Sequence, residues 1–379
     1  MPLPRLRRRA AARDVARASG TGGRADRGRA ERDATAGQGG AGREAAPQGR
    51  VVPLPGPAWT AHPLDLEPHP GAFPTPPGPD RAVLLREVPG ALRHPHGGPP
   101  EVVPAGPHAV LYLPGYRDYF FQVQFAQEWR DAGFDFAALE PRRGGRALRP
   151  GEVPDDVLDL RHRHPEIAAS IAILRAGGAR TITLAGHGLG ALTAALYARD
   201  HPDDVDSLVL TSPWISAPRC YSGPLRPAAA VRAVARLAPR AVWAMAVPVH
   251  QRVCHVDHGG DFDFDTTLKP IDPVPLYAGQ VGAVVRGIRE VAGGLDLAMP
   301  VLVATAASTG DRHSRAVRSC ETVLDVAHVQ QAARRLGRDV TLAVVRGGTH
   351  NLALSPRPAR DEFLAAVTAW AADHREPPG

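Results

Sequence analysis

From residue 108 onward the chain alternates between two hydrophobic periods. Short runs that are apolar almost without interruption, "HAVLYL" (108–113), "FDFAAL" (134–139), "RTITLAG" (180–186), "DSLVLTS" (206–212), "PVLVATAA" (300–307) and "DVTLAVV" (339–345), read as strands buried on both faces. Between them, large apolar residues recur at helical spacing. The stripes are Phe121, Phe125 and Trp129; Ile167, Ile171 and Leu174; Leu189, Leu192 and Leu196; Val326, Val329, Ala333 and Leu336; and Phe363, Val367 and Trp370. Strand followed by helix, repeated, is the pattern of βαβ units. The predicted fold class is therefore α/β, a mostly parallel sheet covered by helices on both faces.

The alternation fails in two places. Residues 51–104 are dense in Pro and Gly, with one strand, "RAVLLREV" (81–88), in an otherwise extended lead-in. Residues 215–297 replace the regular pattern with a helical stretch, a His- and Asp-rich patch and another amphipathic run. Open α/β sheets bind ligands beyond the carboxyl ends of their strands, so this insertion is expected to lie over the site as a lid. The folded α/β domain is expected to span residues 105–379.

Composition changes the picture at the N-terminus. Residues 1–50 carry 12 Arg against five acidic residues and almost no large apolar side chains. Such a segment cannot bury enough surface to offset its ordering entropy and reads as a disordered Arg-rich tail. The whole-chain charge of +6 resides there, because the remainder has 33 basic and 34 acidic residues. No nucleic-acid partner is expected from that balance. Lys269 is the single lysine. No apolar run approaches the roughly 20 residues needed to span a bilayer; the longest candidate, at 227–249, is cut by Arg232, Arg236 and Arg240. Cys220, Cys254 and Cys320 are scattered and odd in number, which suits a reducing compartment, with the cytoplasm as the expected location.

The candidate chemistry centres on "LAGHGLGAL" (184–192), where a strand runs into a helix. A nucleophile elbow has this form: a residue with φ > 0 on a tight turn, flanked by small residues that let the helix pack back on the strand. Gly186, Gly190 and Ala191 meet the packing demand. The tip is Gly188, which takes the backbone geometry without strain and brings no nucleophile. None of His187, Thr193, Ser212 and Ser216 is expected to replace it, His187 because neighbours of the tip point away from the pocket.

From "VLYLPGYRDYFFQ" through "LAGHGLGALTAAL" and "LVLTSPW" to "VVRGGTHNLALS", the chain resembles an α/β-hydrolase of the serine aminopeptidase and monoacylglycerol-lipase-like branch, in its actinobacterial form. The stretches 258–270 and 321–351 share the resemblance. It implies a nucleophile position at Gly188, a general base at His350, and oxyanion donors in the backbone N–H groups of Leu189 and Tyr116. Pro114-Gly115 stands where such proteins usually have His-Gly. For the acid that orients the base, Glu321 is the first choice, with Asp311 and Asp325 as alternatives; a glutamate can fill the role. An ester-like small-molecule ligand is implied, with little or no serine-hydrolase activity, since the base has no hydroxyl to deprotonate. A reaction without a serine nucleophile, by His-activated water or as a lyase or isomerase, is the alternative.

Two further readings weigh less. Gly186-x-Gly188-x-x-Ala191 fits a dinucleotide fingerprint, but the next strand ends "LVLTSPW" without the carboxylate that would hold a ribose. His250, Cys254, His255, Asp257, His258, Asp261, Asp263 and Asp265 crowd 16 residues, yet their spacing matches no standard zinc pattern. Neither a cofactor nor a metal is expected.

Overall fold

Strand β3 (His108–Leu113) sends Ala109, Leu111 and Leu113 to one face of the sheet and Val110 and Tyr112 to the other, all buried. This two-sided burial is what its uninterrupted apolar sequence requires. It recurs in β4 (Asp135–Glu140), β5 (Thr181–His187), β6 (Ser207–Thr211) and β9 (Val301–Ala306). The computed structural model describes residues 53–56, 58–87, 105–216, 228–311, 313 and 315–375. The Arg-rich tail at 1–50 and Cys220 lie outside the described residues.

Eight strands form one sheet in the order β1-β2-β4-β3-β5-β6-β9-β10. Here β1 is Trp59–Leu66, β2 is Asp80–Glu87 and β10 is Val340–Val345. The pairs β1·β2 and β2·β4 are antiparallel and the others parallel. The lead-in thus holds two strands rather than one, and the sheet reaches back to Trp59, well before residue 105. Strand β1 escapes the sequence pattern because it is a half-exposed edge, with Pro63 inside it.

Helices α1 (Val123–Asp131) and α8 (Ala359–Asp373) cover one face, where Phe125, Trp129, Phe363 and Val367 join a largely aromatic core. Helices α2 (His164–Ala176) and α3 (Leu189–Asp200) cover the other, burying Ile167, Ile171, Leu192 and Leu196.

Between β6 and β9 lie α4 (Ala228–Leu237), β7 (Val242–Ala246), α5 (Val249–Cys254), β8 (Val274–Tyr277) and α6 (Ala278–Gly293). Strands β7 and β8 form a separate antiparallel pair. The expected insertion over 215–297 is too long at its C-terminal end. Ala283, Val284 and Val291 of α6 belong to the same core as α3, and Gly287 packs close to Leu192 and Leu196, so α6 is a sheet-covering helix. Helix α7 (Val326–Ala333), capped by Asp325 accepting the His328 N–H at 3.1 Å, precedes the last strand. Among the described residues, no helix is long and apolar enough to cross a membrane.

Candidate active site

Strand β5 turns into α3 at Gly188, whose φ of 54° and ψ of −112° make the sharp elbow. The flanking glycines are steric necessities. A Cβ at Gly186 would lie 2.7 Å from the backbone of Gly190 and Ala191, and one at Gly190 would lie 2.3 Å from the Pro114 carbonyl oxygen. Gly188 differs: a Cβ there would meet nothing closer than Trp214 Nε1 at 3.6 Å and His350 Nε2 at 3.8 Å. The turn is pinned by the Gly188 N–H donating to the Thr211 carbonyl (3.0 Å) and the Trp214 N–H donating to the Gly188 carbonyl (3.1 Å).

His350 follows β10 and is buried, and its Nδ1 lies 2.8 Å from Glu321 Oε2. The other Glu321 oxygen accepts backbone N–H groups from Val323 (2.7 Å) and Leu324 (3.1 Å). A carboxylate on Nδ1 fixes that nitrogen as the protonated one and leaves Nε2 facing Gly188. The two other acidic candidates do different work: Asp311 is exposed and Asp325 caps α7.

Tyr116 lies on the loop after β3. That loop is held by the Arg117 N–H donating to Asp155 Oδ2 at 2.7 Å, while Asp155 pairs with buried Arg163. A Cβ on Gly115 would come within 2.9 Å of His187 Cδ2. The Tyr116 hydroxyl donates to Gln280 Oε1 at 3.1 Å, and burial pushes its pKa up to about 12. Leu189 is buried at the first turn of α3.

A mainly apolar cavity opens above the elbow, lined by Gly188, Tyr116, Trp214, His187 and His350, and by residues 246–251, Lys269, Val274 and Leu276 from the insertion. His187 therefore faces the cavity, contrary to the sequence expectation. As the last residue of β5 it tucks its ring under Gly115, 4.9 Å from the His350 ring centroid. His250 of α5 contacts His350 from the other side at 4.8 Å, edge to face. Burial, followed by repulsion from His350 and Lys269, holds both His187 and His250 well below the usual histidine pKa. Lys269, itself fully buried, pairs with buried Asp118 at 2.7 Å and sits over the rings of Phe121 and Phe264.

The three hydroxyl residues weighed as substitutes for the nucleophile, Thr193, Ser212 and Ser216, are not on this cavity wall. Thr193 donates to the Leu189 carbonyl of its own helix. The His- and Asp-rich patch is splayed. His255 Nε2 lies 3.2 Å from the Phe264 carbonyl, and Asp257 and Asp263 are exposed. Among the described residues, no three such side chains converge on a point that could hold a metal. Sequence reasoning missed Trp214, His250 and the Lys269–Asp118 pair as parts of one pocket; only the solitary lysine hinted at a special position.

Sheet order, elbow and the His350–Glu321 pair define a class: the chain has the α/β-hydrolase fold. The serine aminopeptidase S33 family model matches residues 107–262, in keeping with the sequence resemblance. Among solved structures, the chain is similar to a soluble variant of monoglyceride lipase from Saccharomyces cerevisiae in complex with a substrate analog. The two share 15% identity and a TM-score of 0.58, over 86% of this chain and 100% of the lipase. It is also similar to the monoacylglycerol lipase of Paleococcus ferrophilus, with 16% identity and a TM-score of 0.54, over 72% and 97% of the two chains. Likeness at these identities is a likeness of fold. No curated protein matches the sequence.

Proposed function

We propose that this is a protein of serine esterase and lipase ancestry that binds an ester-like small molecule and has little or no serine-hydrolase activity. The observation that carries the reading is the position of Gly188: a Cβ there would lie 3.8 Å from His350 Nε2 and 3.6 Å from Trp214 Nε1, with nothing nearer. A serine hydroxyl at that point would come within the roughly 2.6–3.2 Å that proton transfer requires. In this reading Glu321 orients His350, the N–H groups of Tyr116 and Leu189 serve a developing oxyanion, and the segment between β6 and α6 acts as a lid. Without the nucleophile, binding and oxyanion stabilisation alone leave on the order of 10³–10⁴-fold acceleration over water in serine hydrolases, far below a working enzyme.

A second reading, in which His350 activates water directly, is favoured by the retained His350–Glu321 hydrogen bond. Hydrolysis of a short-chain p-nitrophenyl ester by the native protein and by Gly188→Ser separates the two. A silent native protein and an active serine variant support the first. Native turnover that His350→Ala abolishes supports the second.

A further inference from the structure

We propose that the ester-like ligand of this cavity carries a free hydroxyl, seated beside Gly188, where it accepts from Trp214 and donates to His350. The proposal rests on the reading of Gly188 as the former nucleophile position and names the functional group that this position holds.

Trp214 is 7% exposed, and its indole N–H has no acceptor among the described residues. Indole nitrogen can only donate. A buried donor left unmatched is unfavourable, so the site calls for an acceptor there. The two polar atoms nearest the point that a Cβ on Gly188 would occupy are this nitrogen, at 3.6 Å, and His350 Nε2, at 3.8 Å. Since the Nδ1 proton is committed to Glu321, Nε2 of the neutral imidazole carries a lone pair and accepts. The space beside Gly188 is thus bordered by one donor and one acceptor. A hydroxyl answers both through a single oxygen. An ester or ether oxygen answers only the indole and sets its own lone pairs against Nε2, and water brings a second proton that these two partners leave unmatched.

Charge gives an anion no advantage here. Lys269 is paired to Asp118 at 2.7 Å, and Arg117 lies over the Tyr116 ring at 5.9 Å. His187 and His250 are kept neutral, chiefly by burial, and Glu321 places its carboxylate behind His350. Val247, Val249, Val274 and Leu276 on the same wall offer apolar surface to an alkyl chain. The matched ligand is a neutral alcohol group on an apolar body.

The test is calorimetric titration of the full native chain with hexan-1-ol, with its isomer methyl pentyl ether and with methyl pentanoate. The ether has the same atoms and sheds water more readily than the alcohol, so burial alone would rank it first. We expect hexan-1-ol to bind at least about fivefold more tightly than the ether or the ester. Trp214→Phe keeps a ring and removes the donor; it should weaken hexan-1-ol by about three- to tenfold, the range of a neutral hydrogen bond, and change the ether little. His350→Ala removes the acceptor and should erase the preference for the alcohol over its isomer. Absent hexan-1-ol binding, or an ether or ester bound as tightly, overturns the proposal on the native protein alone. An unchanged hexan-1-ol affinity in folded Trp214→Phe, or a preference that survives His350→Ala, overturns it as well. Ester hydrolysis by Gly188→Ser keeps the two claims apart. An active serine variant without hydroxyl preference in the native protein removes this inference and leaves the ancestry standing, and hydroxyl preference with an inert serine variant does the reverse.

Discussion

His350 Nδ1 and Glu321 Oε2 are 2.8 Å apart with both side chains buried, and the second Glu321 oxygen is held by two backbone N–H groups. The carboxylate can therefore neither rotate away nor be replaced quietly by an amide. In Glu321→Gln the backbone N–H groups keep the carbonyl oxygen, and the amide NH2 is turned toward Nδ1, which favours the wrong imidazole tautomer. In a Gly188→Ser background, Glu321→Gln is expected to lower ester kcat by about 10²–10⁴, as loss of the orienting carboxylate does in serine hydrolases. Asp311→Ala and Asp325→Ala in the same background are expected to leave the rate within about twofold, with Asp325→Ala costing about 1 kcal/mol of stability as a lost helix cap. Steady-state kinetics on a p-nitrophenyl ester, with urea unfolding alongside, checks each.

Gly190 and Gly188 should respond differently to the same methyl group. A Cβ at Gly190 meets the Pro114 and Leu113 carbonyl oxygens at 2.3 and 2.4 Å, whereas at Gly188 the nearest atom is 3.6 Å away. Gly190→Ala is expected to lose several kcal/mol or fail to fold, because the backbone of α3 and β3 must part. Gly188→Ala should lose only about 1–2 kcal/mol, the strain of a non-glycine residue at positive φ. Urea midpoints of the two variants decide the matter; equal losses would mean that Gly188, too, is held by packing.

The Lys269–Asp118 pair is buried on both sides, with the second Asp118 oxygen accepting the Tyr119 N–H at 2.8 Å. Lys269→Met strands a buried carboxylate and is expected to cost about 3–5 kcal/mol. The double variant Lys269→Met/Asp118→Asn should recover most of that loss, since asparagine still accepts from Tyr119. A double-mutant cycle in urea unfolding measures the difference, and additive losses would show that the pair is not coupled.

Stability should fall on acidification because of buried histidine. His164 is buried at the start of α2, and its pKa is lowered from 6.5 to about 4, first by burial and then by His201 and Arg161 against an opposing pull from Asp200. A depressed histidine contributes stability that is fully present above the unfolded pKa and is lost as pH falls through 6.5 toward the folded value. The loss attributable to His164 is about 3 kcal/mol between pH 7 and pH 4. His187 and His250, shifted in the same direction, add to it. Urea unfolding at the two pH values should show a smaller drop for His164→Phe than for the native protein; an identical drop would assign the acid sensitivity elsewhere.

How far the sequence could be read follows from where each signal is local. Strands such as β3 and β5 are uninterrupted apolar runs because both faces are covered, and their limits agree with the sequence reading to within a residue. Strand β1 has one exposed side and an internal Pro63, and β7 and β8 are short, so none of them gives a period long enough to read. Helix α6 reads as amphipathic from sequence, but only contact with α3 assigns it to the sheet rather than to the insertion. The sharp turn at Gly188 was legible because its neighbours must be small for α3 to pack back on β5. The orientation of His187, and the meeting of His250, Trp214 and Lys269 with His350, depend on elements far apart in the chain.

The central claim is that the site lacks a nucleophile and retains the geometry to use one. The direct measurement is kcat/KM for a short-chain p-nitrophenyl ester with the native protein, Gly188→Ser and Gly188→Ser/His350→Ala, each verified as folded. The account expects a native rate no more than about 10³–10⁴-fold above the uncatalysed reaction, a gain of at least about 100-fold in Gly188→Ser, and loss of that gain in the double variant. A folded Gly188→Ser protein no faster than native, or one whose turnover survives His350→Ala, would contradict it.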